Sequence, residues 1–144
     1  SYAIHLTIHQ PSWQAFVPIE KAVWSGAGSA TNDGWISTDT SDHTLTMDSS
    51  GRSGALLLQS SQGERVFMVV GVHNYVRWCD IVTSISPADT AGQILAMYYG
   101  AGEKEYMRWK TLSEHSVRSA AGTSFRVWFE VGEGHRLTAK FSIS

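Results

Sequence analysis

The sequence predicts a mainly β chain, most simply an antiparallel two-sheet β-sandwich with a short helix-loop-helix. Three observations carry that expectation. Apolar residues recur at a period of two along most of the chain, helical spacing is confined to one segment, and strands do not alternate with helices as in a parallel α/β fold. The 144 residues, 42% hydrophobic and 17% charged, suit a single domain spanning 1–144.

The period of two starts at once. Tyr2, Ile4, Leu6 and Ile8 alternate with Ala3, His5, Thr7 and His9, the pattern of a strand with one buried face. Further stretches of this kind fall at 16–24, 43–47, 54–59, 65–72, 115–119, 124–131 and 137–143, giving about eight strands. In the last two, Phe125, Val127, Phe129 and Val131 share one face and Leu137, Ala139, Phe141 and Ile143 another, with Gly132-Glu133-Gly134 between them. This reads as an antiparallel hairpin. One segment differs: Ser86-Pro87-Ala88-Asp89 offers a capping side chain, a proline for the first helical position and an acid three residues on, so a helix is expected to start there. Ile94, Leu95, Tyr98 and Tyr99 form its apolar stripe, and Gly100 and Gly102 its stop. A second helical turn is expected within 103–112. Two stretches rich in Gly and Ser, 25–34 and 48–54, read as surface loops.

Eleven Lys and Arg stand against thirteen Asp and Glu, a formal net charge of -2 with no block of like charge, so a nucleic-acid partner is not expected. No run approaches the roughly 18 to 20 apolar residues of a membrane span, and no apolar secretory core opens the chain. The single cysteine, Cys79, has no partner for an internal disulfide and sits beside Trp78 and near Ile81. A packed thiol in a soluble, cytoplasmic protein is expected. The six His lack metal-ligand spacing, the glycine loops match neither a P-loop nor a dinucleotide fingerprint, and no nucleophile elbow occurs. Neither a metal, a cofactor nor catalysis is expected.

The densest group of unusual side chains is Gly71-Val72-His73-Asn74-Tyr75-Val76-Arg77-Trp78-Cys79-Asp80-Ile81-Val82-Thr83. A sugar site needs amides and carboxylates that pair with hydroxyls, plus an aromatic or apolar surface for the C–H face, and this segment holds both. The other reading of the same residues makes Tyr75 and Trp78 core or edge aromatics, with Arg77 and Asp80 capping turns or pairing with each other.

The string GVHNYVRWCDIVT resembles the signature of the fungal fruit-body lectins. Other parts agree in order: Tyr2 with the first strand, Glu20-Lys21 to Trp24, Leu45-Thr46-Met47 before a Ser-Gly loop, the helix from Thr90 to Tyr99, Ala121-Gly122, Phe125, and Gly134 before Leu137. The resemblance covers essentially the whole chain. It implies a sandwich similar to that of the actinoporins, a homotetramer, and two sugar sites on either side of the helix-loop-helix. One takes Galβ1-3GalNAc, the Thomsen-Friedenreich antigen, and the other terminal N-acetylglucosamine. Glycans of glycoproteins or glycolipids are the implied partners, and multivalent cross-linking in defence the implied purpose.

By the same resemblance the galactosyl and N-acetylgalactosamine site falls on Ala27, Ser50, Gly51, His73 and Asn74. A short insertion lies between Ala27 and Leu45, with 28–33 and 38–42 as its candidate places. Asp48, Ser49 and Arg52 replace the glycines and threonine usual around the Ser-Gly pair, so a new carboxylate and a new cation are expected to face the ligand. The N-acetylglucosamine site falls on Asp80, Ile81, Thr83, Lys104 and His115, with Ile81 supplying an apolar contact for the acetyl methyl. Lys104 and His115 stand where the family carries an arginine and a tyrosine. A point charge replaces a planar fork of donors and a titrating imidazole replaces a phenol, so this second site is expected to be weakened, retuned or pH-dependent. A membrane-acting module of the actinoporin kind is the alternative function; it inserts an amphipathic N-terminal helix, whereas the period of two in 1–10 makes a strand.

Overall fold

The structure is a computed structural model that describes residues 1–26, 30, 31 and 34–144. Its strands are β1 (Tyr2–His9), β2 (Val17–Trp24), β3 (Ala30–Thr31), β4 (Trp35–Ser37), β5 (Asp42–Met47), β6 (Ser53–Gln59), β7 (Arg65–His73), β8 (Val76–Val82), β9 (Glu114–Arg118), β10 (Ser124–Val131) and β11 (Arg136–Ile143). Two short helices, α1 (Ala91–Ala96) and α2 (Tyr106–Lys110), lie between β8 and β9. One sheet has six strands in the order β4-β5-β1-β11-β10-β9, the other five in the order β3-β2-β6-β7-β8. The two-sheet sandwich is thus as expected, with one departure. β1 and β11 pair in parallel, Leu6 opposite Ala139, so the first sheet is mixed. A parallel pair needs a long crossover rather than a tight turn, and here nearly the whole chain serves as that crossover.

β8 differs from its neighbours in polarity: β6 and β7 are as buried but run apolar, whereas Arg77 and Asp80 interrupt β8 and no alternation replaces the run. β3 and β4 are too short to show any period. The five-stranded sheet is a middle layer, and both of its faces are covered. Leu56, Leu58, Val66, Met68 and Val70 pack against the six-stranded sheet, while Ala55, Leu57, Phe67, Val69 and Trp78 pack against α1 and the turns after it. Strands buried on both faces read as continuous apolar runs. Close packing fixes Gly71, where an added Cβ would lie 2.6 Å from the Ser53 Cβ and 2.7 Å from the Trp78 indole nitrogen.

The helix does not start at Ser86. Its cap is Thr90, whose hydroxyl accepts from the Gln93 N–H at 3.1 Å while Gln93 Oε1 accepts from the Thr90 N–H at 3.0 Å, a reciprocal box. Ser86 and Asp89 close a separate turn instead: the Ser86 N–H donates to Asp89 Oδ2 and the Asp89 N–H to the Ser86 carbonyl, each at 2.9 Å. Glu20 of β2 accepts from the Ala91 N–H at 2.8 Å and so pins α1 to the middle sheet. Ile94, Leu95, Tyr98 and Tyr99 are buried as a stripe, although α1 ends at Ala96 and the two tyrosines sit on the turns beyond it.

β10 and β11 form the expected hairpin, with a bulge between Phe129 and Val131. The extra residue shifts the alternation and leaves Val131 48% exposed, so it does not share the buried face of Phe125 and Val127. Cys79 is buried in the inter-sheet core; burial, with the Asp80 charge beside it, pushes its thiol up to about 12. Among the described residues no helix is long and apolar enough to cross a membrane.

Candidate functional site

Two constellations contact the helical segment, one through Arg108 and the other through Tyr98. The first forms where β7 turns into β8. Asn74 and Tyr75, at φ 49 and φ 65, make the two-residue left-handed turn that matches strand twist. Asn tolerates that conformation readily and Tyr does not, so Tyr75 needs a tether. Its N–H donates to Ser50 Oγ at 2.9 Å. Gly51, at φ 87, donates to the Val72 carbonyl at 2.8 Å, and the Val72 N–H donates to the Arg52 carbonyl at 3.0 Å. The β5–β6 loop is thereby fastened to the hairpin, and Ser50, Gly51, His73 and Asn74 meet at one end of the sandwich. Ser50 accepts from Tyr75 and keeps its O–H to donate, and Asn74 is exposed.

His73 belongs to the floor of this site. It is 9% exposed, and Arg108 Nη1 lies 3.0 Å from its Nδ1. Since guanidinium only donates, Nδ1 accepts and the proton resides on Nε2, which is buried without a partner among the described residues. Burial, followed by the Arg108 charge, holds the imidazole below its ordinary 6.5 and therefore neutral. Arg108 in turn donates to the Tyr98 carbonyl at 2.6 Å and to Glu105 at 3.1 Å, and its guanidinium lies 4.4 Å over the Tyr99 ring. Tyr99 stacks on Trp24 at 4.2 Å and shares a 2.7 Å hydrogen bond with Ser53.

Asp48 and Arg52 do not both face outward. Arg52 Nε donates to Asp48 Oδ1 at 2.9 Å, and that bond and charge hold the Asp48 carboxyl below the usual range. The guanidinium occupies the space where a side chain at Gly26 would project, 1.5 Å from an added Cβ. Beyond Arg52 opens a cleft of about 800 Å³ bounded by Tyr2, Trp24, Thr46 and His135, among others; none of Ser50, Gly51, His73 and Asn74 lines it. Ala27 and positions 28, 29, 32 and 33 lie outside the described residues, while 38–42 leads from β4 into β5.

The second constellation centres on Asp80 of β8, 4% exposed. Its Oδ2 accepts from the Tyr98 hydroxyl at 2.7 Å, and its Oδ1 lies 3.3 Å from His115 Nε2 on β9. One carboxylate thus joins the middle sheet to the turn after α1 and to the edge of the other sheet. Burial, reinforced by the Asp80 charge, pushes the Tyr98 phenol far up, so it remains a donor. Arg77 does not pair with Asp80; it donates to the Thr111 carbonyl at 2.9 Å, at the left-handed end of α2.

The other residues assigned to the second site fare differently. Ile81 is 5% exposed and packs in the inter-sheet core, on the face of β8 opposite to Trp78, so its side chain is not available for the acetyl methyl: consecutive strand residues point to opposite faces. Thr83 lies just past β8 and borders a separate pocket of about 270 Å³ with Arg65, Pro87 and Ala120. Lys104 is half-buried before α2, its N–H donating to the Met97 carbonyl at 3.0 Å. Only Asp80 and His115 of this set are brought into direct contact. Sequence reasoning missed Tyr98, Arg108 and Trp109. The Tyr98-Tyr99 pair was legible as core, but adjacent tyrosines with separate polar partners left no mark, and Arg108 looks like any charge on a short helix. Among the described residues no cluster of His, Cys, Asp and Glu could hold a metal ion.

A β-sandwich that presents amide, hydroxyl and imidazole groups at one end and at the seam beside its helices has the polar surface a carbohydrate-binding protein uses, and the comparisons with known proteins give its family. The model of the fungal fruit body lectin family matches residues 1–141, and the chain belongs to that family. It is 42% identical over 146 residues to the Boletus edulis lectin of Boletus edulis, covering 100% of this chain and 99% of that one. The crystal structure of wild-type Xerocomus chrysenteron lectin has the same fold, with a TM-score of 0.89, 42% identity and 99% of each chain covered. A methionine-substituted form of that lectin gives a TM-score of 0.90 over 99% of this chain and 97% of the other.

Proposed function

We propose that this lectin binds Galβ1-3GalNAc glycans at the Ser50, Gly51, His73 and Asn74 end and terminal N-acetylglucosamine at the Asp80–His115 seam, and that it acts as a multivalent homotetramer on glycoprotein or glycolipid surfaces. The observation that carries the reading is the bond from the Tyr75 N–H to Ser50 Oγ at 2.9 Å, because it assembles a half-buried hydroxyl and an exposed amide on two separate segments into one rigid unit. Selectivity for galactose rests on groups that address its axial 4-hydroxyl; a site built to hydrogen-bond that hydroxyl leaves its own groups unpaired when the hydroxyl is misplaced. Asn74 and Ser50 take that role. Single shallow sugar sites bind weakly, so several protomers engaging one surface supply the working affinity. At the seam, the carboxylate of Asp80 is nearly enclosed, so it orients His115 and Tyr98 while His115, with its side chain 27% exposed, meets the sugar. A role in defence fits binding to glycans of an animal that feeds on the tissue.

Calorimetric titration with Galβ1-3GalNAc tests the first site. Ser50→Ala and Asn74→Ala each weaken binding by about tenfold or more, the scale of one lost hydrogen bond to a polar ligand, and leave N-acetylglucosamine binding unchanged. Unchanged galactosyl affinity in both variants would place the sugar elsewhere.

A further inference from the structure

Resting on the galactosyl reading of that end of the sandwich, we propose that Trp109 is the stacking surface of the same site and sets its preference for galactosyl over glucosyl rings. Trp109 lies on α2 and is 62% exposed. Its ring centroid stands 4.5 Å from that of His73 at an interplanar angle of 70°, and His73 directly precedes the Asn74-Tyr75 turn that Ser50 fastens. The indole is therefore at the rim of the hydroxyl-reading groups.

It is also held. Met107 of the same helix is buried, and Arg108, its immediate neighbour, is tied to Tyr98, Glu105 and His73 by bonds of 2.6 to 3.1 Å. His73 supports one side of the indole and leaves much of the rest open. Two other aromatic rings near the surface are capped by cations, Tyr106 by Lys110 at 5.4 Å and Trp128 by Arg126 at 4.2 Å, whereas Tyr75, 81% exposed, belongs to the turn itself. Among the described residues no cation covers Trp109. A held, open indole against His73, the residue that precedes the exposed Asn74 amide of the turn fastened by Ser50, has the two-part chemistry of a sugar site, an apolar platform and a few convergent polar groups.

The stereochemistry of the sugar supplies the selectivity. In a galactosyl ring the axial 4-hydroxyl projects to one side, so the C–H bonds at C3, C4 and C5 gather into one apolar patch on the other. A glucosyl ring has an equatorial 4-hydroxyl and no such continuous patch. With the C–H patch on Trp109, the axial hydroxyl points away from the indole toward groups such as Asn74 and Ser50, which no glucosyl ring satisfies from the same pose. N-acetylglucosamine at the Asp80–His115 seam, where no bond or ring contact involves Trp109 among the described residues, gains nothing from this residue.

The test compares wild type with Trp109→Ala and Trp109→Tyr by calorimetry against Galβ1-3GalNAc, methyl β-galactoside, methyl β-glucoside and N-acetylglucosamine, with thermal unfolding of each variant as a control. Trp109→Ala weakens both galactosides by about tenfold, the scale of one aromatic stack, and brings the galactoside-to-glucoside ratio towards one. Trp109→Tyr retains most of the affinity, N-acetylglucosamine binding is the same in all three proteins, and the fluorescence shift that Galβ1-3GalNAc causes in wild type is absent from Trp109→Tyr. Wild-type affinity in Trp109→Ala, with binding still lost in Ser50→Ala, overturns the stacking role and leaves the site itself standing. Equal losses for galactosides and N-acetylglucosamine also overturn it, since the effect is then general. If wild type binds neither galactoside, both the site and the stack are wrong.

Discussion

Asp80 and His115 meet across the seam between the two sheets, with Oδ1 of one 3.3 Å from Nε2 of the other. Tyr98 occupies the second carboxylate oxygen at 2.7 Å. The carboxylate is the hub of three segments, and truncating it leaves a buried phenol and an imidazole without their acceptor. Asp80→Ala is expected to destabilise the fold by about 1 to 3 kcal/mol, the cost of an orphaned buried polar group, and to weaken N-acetylglucosamine binding more than Galβ1-3GalNAc binding. Urea unfolding and sugar titrations on the same preparation check both halves.

His115 carries the partly exposed end of this contact, its side chain 27% accessible while that of Asp80 is nearly enclosed. His115→Ala is expected to weaken N-acetylglucosamine binding by about tenfold, the scale of one lost hydrogen bond to a polar ligand, and to leave Galβ1-3GalNAc binding unchanged. Unchanged N-acetylglucosamine affinity would show that the imidazole does not meet the sugar.

Stability should fall on mild acidification for a reason located elsewhere. His43 is held below its ordinary 6.5 chiefly by burial, with Lys21 adding to the effect and the Thr40 carbonyl opposing it; Ser37 links it to Lys21. His73 is lowered by burial and Arg108. A depressed folded value means that the unfolded chain binds more protons in the window just below 6.5. The stabilising contribution is complete above that value, declines as pH drops through the window, and stops declining below the folded value. The urea midpoint is expected to be lower at about pH 5 than at about pH 7, and His43→Gln to flatten that slope.

Gly71→Ala tests the packing that sets the β7–β8 hairpin. An added Cβ meets the Ser53 Cβ at 2.6 Å, the Arg52 carbonyl and the Trp78 indole at 2.7 Å, none of which is the free end of a flexible side chain. Overpacking of this kind costs about 1 to 3 kcal/mol. A melting temperature equal to that of wild type would show that the hairpin can shift.

The elements with one exposed face were legible in the sequence, β1 most plainly, where burial alternates as its residues do. What stayed hidden was interrupted by polar residues or held by contacts between distant segments. β8 gave neither the apolar run of β6 and β7 nor an alternation, because Arg77 and Asp80 fall within it. The cap at Thr90 was masked by the stronger local pattern at Ser86, which the chain spends on a turn. At the sites, Ser50, Asn74 and Asp80 stood out through the family signature, and the contact of Asp80 with His115 follows from two strands on different sheets that no local pattern joins. Arg108 and Trp109 acquire their meaning only when α2 is set beside His73.

The most direct measurement is binding of the purified lectin to a broad array of immobilised glycans, repeated with soluble Galβ1-3GalNAc and soluble N-acetylglucosamine as inhibitors. Binding to both glycan classes, each inhibited by its own sugar alone, is the expected result and assigns two independent sites. Binding to neither class would contradict the proposed specificity of both the Ser50–Asn74 end and the Asp80–His115 seam.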